Sequence, residues 1–401
     1  MENRIMNDAA TMVAANPNLM QIEEFFEQNY LFRNNVLNGR YEVARVGSNP
    51  LVWQHLTNER WNSIVWNLEM ALPDVKSLKK YAEMFVYSEH TPLYDPIAEY
   101  MNNLPAWDGK DHVGNLINCL AGVNEKQSEW IRIWLRSMVT HWMKKDVEHG
   151  NDVVLLLMGD QGCGKSTFCQ RLLPATLREY YLDHLNLANK FDKEMALTHN
   201  LLVNIDEFDQ VKNSQQAELK HTISKSKVNG RRIYASVQTD QHRYASFVAT
   251  TNSRQPLKDP TGSRRYLCVN IPSTQLIDNT FEINHKQLYA QILSEINTGK
   301  PCYFNREETI LLQEANQPYQ QTVDIAAITK ACFRKPRETE QVTPTITTDI
   351  LEELSCHYPQ IMPNAKTKMA IGIALKALGY KSAHTRNGSA YYVVLRKKIA
   401  A

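Results

Sequence analysis

One eight-residue segment narrows the architecture more than any other. Gly159-Asp160-Gln161-Gly162-Cys163-Gly164-Lys165-Ser166 reads GxxxxGK[ST] without a mismatch. It lies between the apolar run Val153–Met158 and a helical pattern that begins at Thr167. A strand, a glycine-rich turn and a helix in that order make a phosphate-binding loop. The glycines let backbone N–H groups turn toward phosphate oxygens at the positive end of a helix. Lys165 is then placed to reach the β and γ phosphates of ATP, and Ser166 to ligand Mg²⁺. The expected ATP contacts are Gly159, Asp160, Gln161, Gly162, Cys163, Gly164, Lys165, Ser166 and Thr167.

Three further strand ends carry polar groups. The runs Val153–Met158, Leu201–Ile205, Phe247–Thr251 and Tyr266–Ile271 alternate with helical segments, as buried parallel strands of an α/β domain do. The second run ends in Asp206-Glu207. Asp206 suits an Mg²⁺ held through water, and Glu207 suits a group that polarises the attacking water. An exposed acidic strand end is the plainer alternative. The third run ends at Asn252, whose amide can bond the γ-phosphate or the water, or can simply serve a turn. Before the fourth run come Arg264 and Arg265, either an arginine finger supplied to a neighbouring subunit or a surface pair bound to carboxylates.

Net charge at first argues against a nucleic-acid partner. The 401 residues carry only +2. Resolved by region the figure changes meaning: residues 1–100 hold −5, residues 101–326 hold 0 and residues 327–401 hold +7. Inside the neutral middle, residues 212–265 hold +8. All seven tryptophans precede residue 143, which fits core packing in a helical N-terminal part. The seven cysteines form no CxxC pair, so a zinc ribbon or disulfide framework is not expected. The expectation is a reduced, cytoplasmic chain. Val153–Met158 falls far short of the ~20 apolar residues of a membrane helix, and the N-terminus has no signal layout.

Gly159–Ser166, Asp206-Glu207, Thr250-Thr251-Asn252 and Gly262–Tyr266, in that order, resemble the virulence-associated protein E family. The likeness extends upstream to Leu104-Pro105-Ala106-Trp107-Asp108-Gly109-Lys110-Asp111 and through Val228–Tyr234, which is similar to the family's basic hairpin. That family resembles superfamily 3 helicases of the AAA+ class. The resemblance implies a ring, a hexamer, that hydrolyses ATP at subunit interfaces and moves on single-stranded DNA. Its setting would be replication of a phage, plasmid or integrated mobile element. In such a ring the +8 segment would line the channel, with Lys225, Lys227, Arg231, Arg232, Tyr234 and Arg243 as DNA contacts. A solvated basic face is the alternative. Ser236 stands where relatives often carry a basic residue. The first 100 residues are too few for a primase domain, so a separate primase is the implied partner.

The expected fold is α/β: an AAA+ P-loop NTPase core over 151–325, with other parts on both sides. A mostly helical region with a β-hairpin precedes it over 1–104, and a helical collar over 105–150. A winged-helix-like basic domain follows over 340–401, with Lys366, Lys368, Lys376, Lys381 and Arg386 as candidate duplex-DNA contacts. Winged helices also bind proteins, so that reading stays open. Two rival functions remain. One is an AAA+ DNA-binding switch or scaffold that hydrolyses ATP without unwinding. The other is a small-molecule phosphotransferase, against which Asp206-Glu207 and the arginine pair argue.

Overall fold

The computed structural model describes residues 16–146, 150–187, 189–211, 213–230, 239–258, 260–321, 324–358, 361, 363–386 and 388–396. They form two units. One runs up to Asn252 and takes in Arg265–Glu308; the other consists of Ser253–Arg264 and the chain from Thr309 on.

The first unit begins with helix α1 (Pro17–Asn29), capped by the Asn16 side chain and started by a proline with a preset φ. Strands β1 (Tyr30–Asn35) and β2 (Tyr41–Arg45) pair antiparallel around Gly39, which takes φ 68°. This is the β-hairpin expected within residues 1–104, and it turns through Leu37-Asn38-Gly39. Next come β3 (Gln54–His55), α2 (Asn58–Ala71), α3 (Leu78–Val86), β4 (Leu93–Tyr94) and α4 (Pro96–Asn102). The sheet order is β3-β2-β1-β4, and Ile22, Phe26, Phe32, Trp61, Leu68 and Ala82 form the core against it.

Helices α5 (His112–Asn118) and α6 (Glu125–Trp142) lead into the central sheet. An Asn124/Gln127 capping box starts α6. Its indole N–H groups reach forward: Trp134 donates to the Val153 carbonyl at 2.9 Å and Trp142 to that of Leu201 at 3.2 Å. Two tryptophans therefore fasten this helix to the starts of two central strands. The segment before α5 is fastened as well. Asp111 caps the helix, accepts two bonds from Arg132 on α6 and one from Gln291. The Arg132 guanidinium holds the Asp111 carboxyl well below the usual carboxylate range.

The central part runs β5 (Val154–Met158), α7 (Lys165–Arg171), β6 (Tyr181–Leu182), α8 (Lys190–His199), β7 (Leu202–Ile205), α9 (Asn213–Ile223), β8 (Lys227–Gly230), β9 (Thr239–His242), β10 (Ser246–Thr251), β11 (Tyr266–Asn270) and α10 (His285–Asn297). Strands β5, β6, β7, β10 and β11 form one parallel sheet in the order β11-β5-β10-β7-β6. Every residue of β5, β7 and β10 is buried, as in a parallel sheet covered on both faces. Strands β8 and β9 form a separate antiparallel pair. The order matters for chemistry. Strand β10 lies between β5 and β7, so its end falls between the glycine-rich loop and the Asp206-Glu207 pair.

In the second unit, Leu257 bridges to Gln320, and Asn316 donates to the Ser263 carbonyl at 2.7 Å. The elements are α11 (Arg306–Ala315, which leads in from the first unit), α12 (Ile325–Cys332), β12 (Phe333–Arg334), β13 (Thr345–Ile346), α13 (Thr347–His357), α14 (Ala365–Ala377), β14 (Ser382–Thr385), β15 (Gly388–Tyr391) and β16 (Val394–Leu395). Strands β13, β15 and β14 make an antiparallel sheet in that order, and β12 pairs with β16. Phe333, Ile350, Leu354, Ile371, Leu375 and Tyr391 form the core. The polar stretch Lys335–Gln341 reads as a linker in sequence; here it folds back, because Glu340 accepts both guanidinium arms of Arg334 and the Arg337 N–H. Among the described residues no helix is long and apolar enough to cross a membrane.

Candidate nucleotide site

The loop between β5 and α7 has the shape its glycines allow. Gly162 and Gly164 take φ 81° and 93°, in the left-handed region that side chains disfavour. A Cβ on Gly164 would also lie 2.3 Å from the Asn279 Nδ2, and one on Gly159 3.1 Å from the Cys163 sulfur. Glycine at these two positions thus lets the loop close up on itself and on the chain after β11. Lys165 is 7% exposed, and its ammonium donates to the Gly159 carbonyl at 2.8 Å, the Asp160 carbonyl at 2.9 Å and the Asn252 Oδ1 at 3.0 Å. A near-buried cation held inside a cradle of backbone is the donor set that suits polyphosphate. Ser166 and Thr167 are exposed at the start of α7.

Asp206 and Glu207 follow β7, and both are exposed. The Thr250 hydroxyl, on the neighbouring β10, donates to Asp206 Oδ1. Thr251 donates likewise to Asp209, an acid that the sequence reading passed over. Glu207 has φ 49° and ψ 47°, a left-handed backbone without glycine. Such strain persists only where the surroundings impose it. Here the next residue, Phe208, is buried against the Tyr266 ring and closes a 3-10 turn that starts from Glu207. The anchor below leaves the carboxylate above in solvent. One strand end therefore gathers the pieces: Thr250 holds the acid side, and Asn252, two residues on, holds Lys165. The residues present fit a nucleotide with Mg²⁺: bare loop amides, a caged lysine, and an exposed hydroxyl and carboxylate at Ser166 and Asp206.

The virulence-associated protein E-like domain model matches residues 101–321, more than half of the sequence. The chain belongs to this family. No curated protein matches the sequence. Among solved structures, the chain is similar to the apo structure of the NrS-1 C-terminal region (305–718), with 14% identity over 94% of this chain and 99% of that one and a TM-score of 0.47. A second structure of that region, an A form, has 13% identity, covers 94% of this chain and 100% of that one, and has a TM-score of 0.44.

The remaining expected residues of this family member divide. Arg265 is half-buried, and its Nε donates to the Ser224 hydroxyl just beyond α9 at 3.0 Å. Arg264 is exposed and belongs to the second unit. Lys227 is exposed at the start of β8, and Lys225 is half-buried beside it. Arg231, Arg232 and Tyr234 lie outside the described residues, as does Ser236.

Arg243 is a correction: it is 0% exposed and not a surface contact for DNA. Its guanidinium is held by backbone carbonyls of Ala245 at 2.8 Å, Lys225 at 2.7 Å, Asn151 at 2.8 Å, and Ile223. Burial pulls its pKa down to about 10. The reason for its burial is position. It follows β9 at once and closes the base of the β8–β9 pair onto Asn151, three residues before β5 begins.

Sequence reading also missed Asn279 and Arg171. Asn279 donates to the Gly164 carbonyl at 2.9 Å and accepts from Arg171 at 3.4 Å. A lone asparagine more than a hundred residues after the loop gives no signal in sequence. In the second unit Lys366, Lys376, Lys381 and Arg386 are exposed, whereas Lys368 is half-buried and donates to Thr348 at 2.6 Å.

Proposed function

We propose that this chain is an ATP-hydrolysing DNA helicase or translocase of superfamily 3 type, with an AAA+ core. The observation that carries the reading is the end of β10, where Asn252 meets Lys165 and Thr250 meets Asp206. Binding alone needs the loop. Hydrolysis needs an acid and a polar group on the γ-phosphate side, and β10 supplies the link between them.

Lys165 and the loop amides from Gly159 to Thr167 would hold the phosphates. Ser166 and Asp206 would hold Mg²⁺, which when bound offsets the charge growing on the phosphate oxygens. Glu207 takes up a proton from the attacking water, and its imposed backbone keeps the carboxylate exposed for that. Asn252 hydrogen-bonds the γ-phosphate side while steadying Lys165. Arg264 or Arg265 acts on the site of a neighbouring subunit in a ring, a hexamer. Arg265 sits on Ser224, in the stretch that leads from α9 to β8, so a shift at the subunit interface would reach the hairpin.

Lys225, Lys227, Arg231, Arg232 and Tyr234 are the proposed contacts to single-stranded DNA, made to the backbone so that any sequence can pass. Helix-strand-helix-helix-hairpin order and the β13-β15-β14 sheet support a winged-helix reading of the second unit, with Lys366, Lys376, Lys381 and Arg386 toward duplex DNA. The proposed setting is replication of a phage, plasmid or integrated element in the cytoplasm, beside a separate primase. A forked duplex with a labelled strand tests the motor. ATP-dependent strand release by the full chain is expected. Hydrolysis stimulated by single-stranded DNA without strand release would instead make the protein a switch.

A further inference from the structure

A strap of chain after β11 lies along the phosphate loop. Ile271 N–H donates to the Met158 carbonyl at 2.8 Å, extending the sheet just before the loop begins. Ile277 N–H then donates to the Cys163 carbonyl at 3.0 Å, and the Asn279 side chain donates to the Gly164 carbonyl at 2.9 Å. Two consecutive loop carbonyls are therefore tied to the strap.

A trans peptide holds its C=O and the following N–H in opposite directions. Fixing the Cys163 carbonyl fixes the Gly164 N–H, and fixing the Gly164 carbonyl fixes the Lys165 N–H. Both carbonyls point to the strap, so both N–H groups point away from it. Those N–H groups belong to the phosphate cradle. The Gly164 carbonyl also accepts the first helical bond from the Phe168 N–H at 3.0 Å. We infer that Asn279 is a positioning residue for nucleotide binding, the second anchor on that carbonyl, which steadies the Lys165 amide in front of it. This inference rests on the nucleotide-site reading above and deepens it.

The strap has its own supports. The Asp278 carboxylate accepts from the Thr280 N–H at 2.9 Å, the Thr280 hydroxyl at 2.6 Å and the Phe281 N–H at 3.2 Å. Arg171, on the helix that begins with Lys165, donates to the Asn279 Oδ1 and to the Phe281 carbonyl. The amide of Asn279 is thus set between one donor and one acceptor, and only an amide meets both. A carboxylate keeps the Arg171 bond but has no hydrogen for the Gly164 carbonyl. The glycine at 164 matches: any side chain there would meet the Asn279 Nδ2 at 2.3 Å.

The test measures ATP affinity of the full chain by displacement of a fluorescent ATP analogue, with melting temperature and steady-state hydrolysis alongside. Asn279→Asp and Asn279→Ala should each raise the ATP Kd and KM about five- to tenfold, the worth of one hydrogen bond. Turnover at saturating ATP should stay within about twofold, because the amide aligns bound substrate and touches no reacting atom. Lys165→Ala is the control. If Lys165→Ala binds ATP as tightly as wild type, the nucleotide-site reading itself falls. If Lys165→Ala loses binding while folded Asn279→Asp or Asn279→Ala binds like wild type, only the role of Asn279 falls. A loss of turnover with unchanged KM would also overturn it.

Discussion

Arg243 offers the sharpest test of how the hairpin base is built. The perturbation is Arg243→Met, which fills much of the volume and removes the guanidinium. Four backbone carbonyls, at Asn151, Ile223, Lys225 and Ala245, lose their donor inside a site that is 0% exposed. A hydrogen bond to a charged group contributes about 1.5–3 kcal/mol. The four bonds share one side chain and do not add. A buried acceptor left without its donor costs about 1–3 kcal/mol, and with four carbonyls left together the expected loss is at least about 3 kcal/mol. It is a large share of the roughly 5–15 kcal/mol that holds a domain folded. Urea unfolding followed by tryptophan fluorescence reads it, since Trp134 and Trp142 are buried in the same unit. A variant within about 1 kcal/mol of wild type that binds single-stranded DNA more weakly would refute the argument and return Arg243 to the surface.

Two other perturbations follow from the site. Thr250→Val keeps the shape of a buried side chain and removes the hydroxyl that orients Asp206, so the Mg²⁺ concentration for half-maximal hydrolysis should rise about tenfold; an unchanged Mg²⁺ titration would contradict it. Burial pushes the His242 and His285 pKa values below 6.5, while each ring nitrogen meets a backbone carbonyl, of His141 and Arg171 respectively. The unfolded chain therefore binds protons before the folded one as pH falls through about 6.5. Stability should be full above that pH and drop toward pH 5.5, and His242→Gln with His285→Gln should flatten the melting-temperature profile; an equally steep profile in the double variant would count against this assignment.

Some of this was legible in sequence because local rules and tertiary demands agree. Strand β5 is apolar throughout, and β7, β10 and β11 are built around apolar runs, since a parallel sheet is covered on both faces; the hairpin at Gly39 needs the left-handed backbone that glycine supplies. The strand, glycine turn and helix around Gly159–Ser166 are local, and that order was legible in sequence. What sequence could not supply was order in space. The motif order does place Asn252 beside the strand that carries Asp206, but its bond to Lys165 depends on β10 lying between β5 and β7, which no spacing announces. Strands β3, β4 and β6 span two residues each, too few for a period to show. Arg243 was misread for a physical reason: in a run of basic residues an exposed and a buried arginine look alike, and only four convergent carbonyls distinguish them. Tryptophan shows the same limit. Trp134 is fully buried while Trp66, in an equally helical pattern, is 67% exposed.

The central claim is that ATP is hydrolysed by Lys165, Asp206 and Glu207 acting together. Phosphate release from Mg²⁺-ATP, with and without single-stranded DNA, measures it directly in wild type, Lys165→Ala and Glu207→Gln. The account predicts turnover in wild type, none above background in Lys165→Ala, and in Glu207→Gln retained ATP binding with turnover lower by about 10²–10⁴-fold, the usual contribution of a general base. Wild-type turnover in either variant would contradict it.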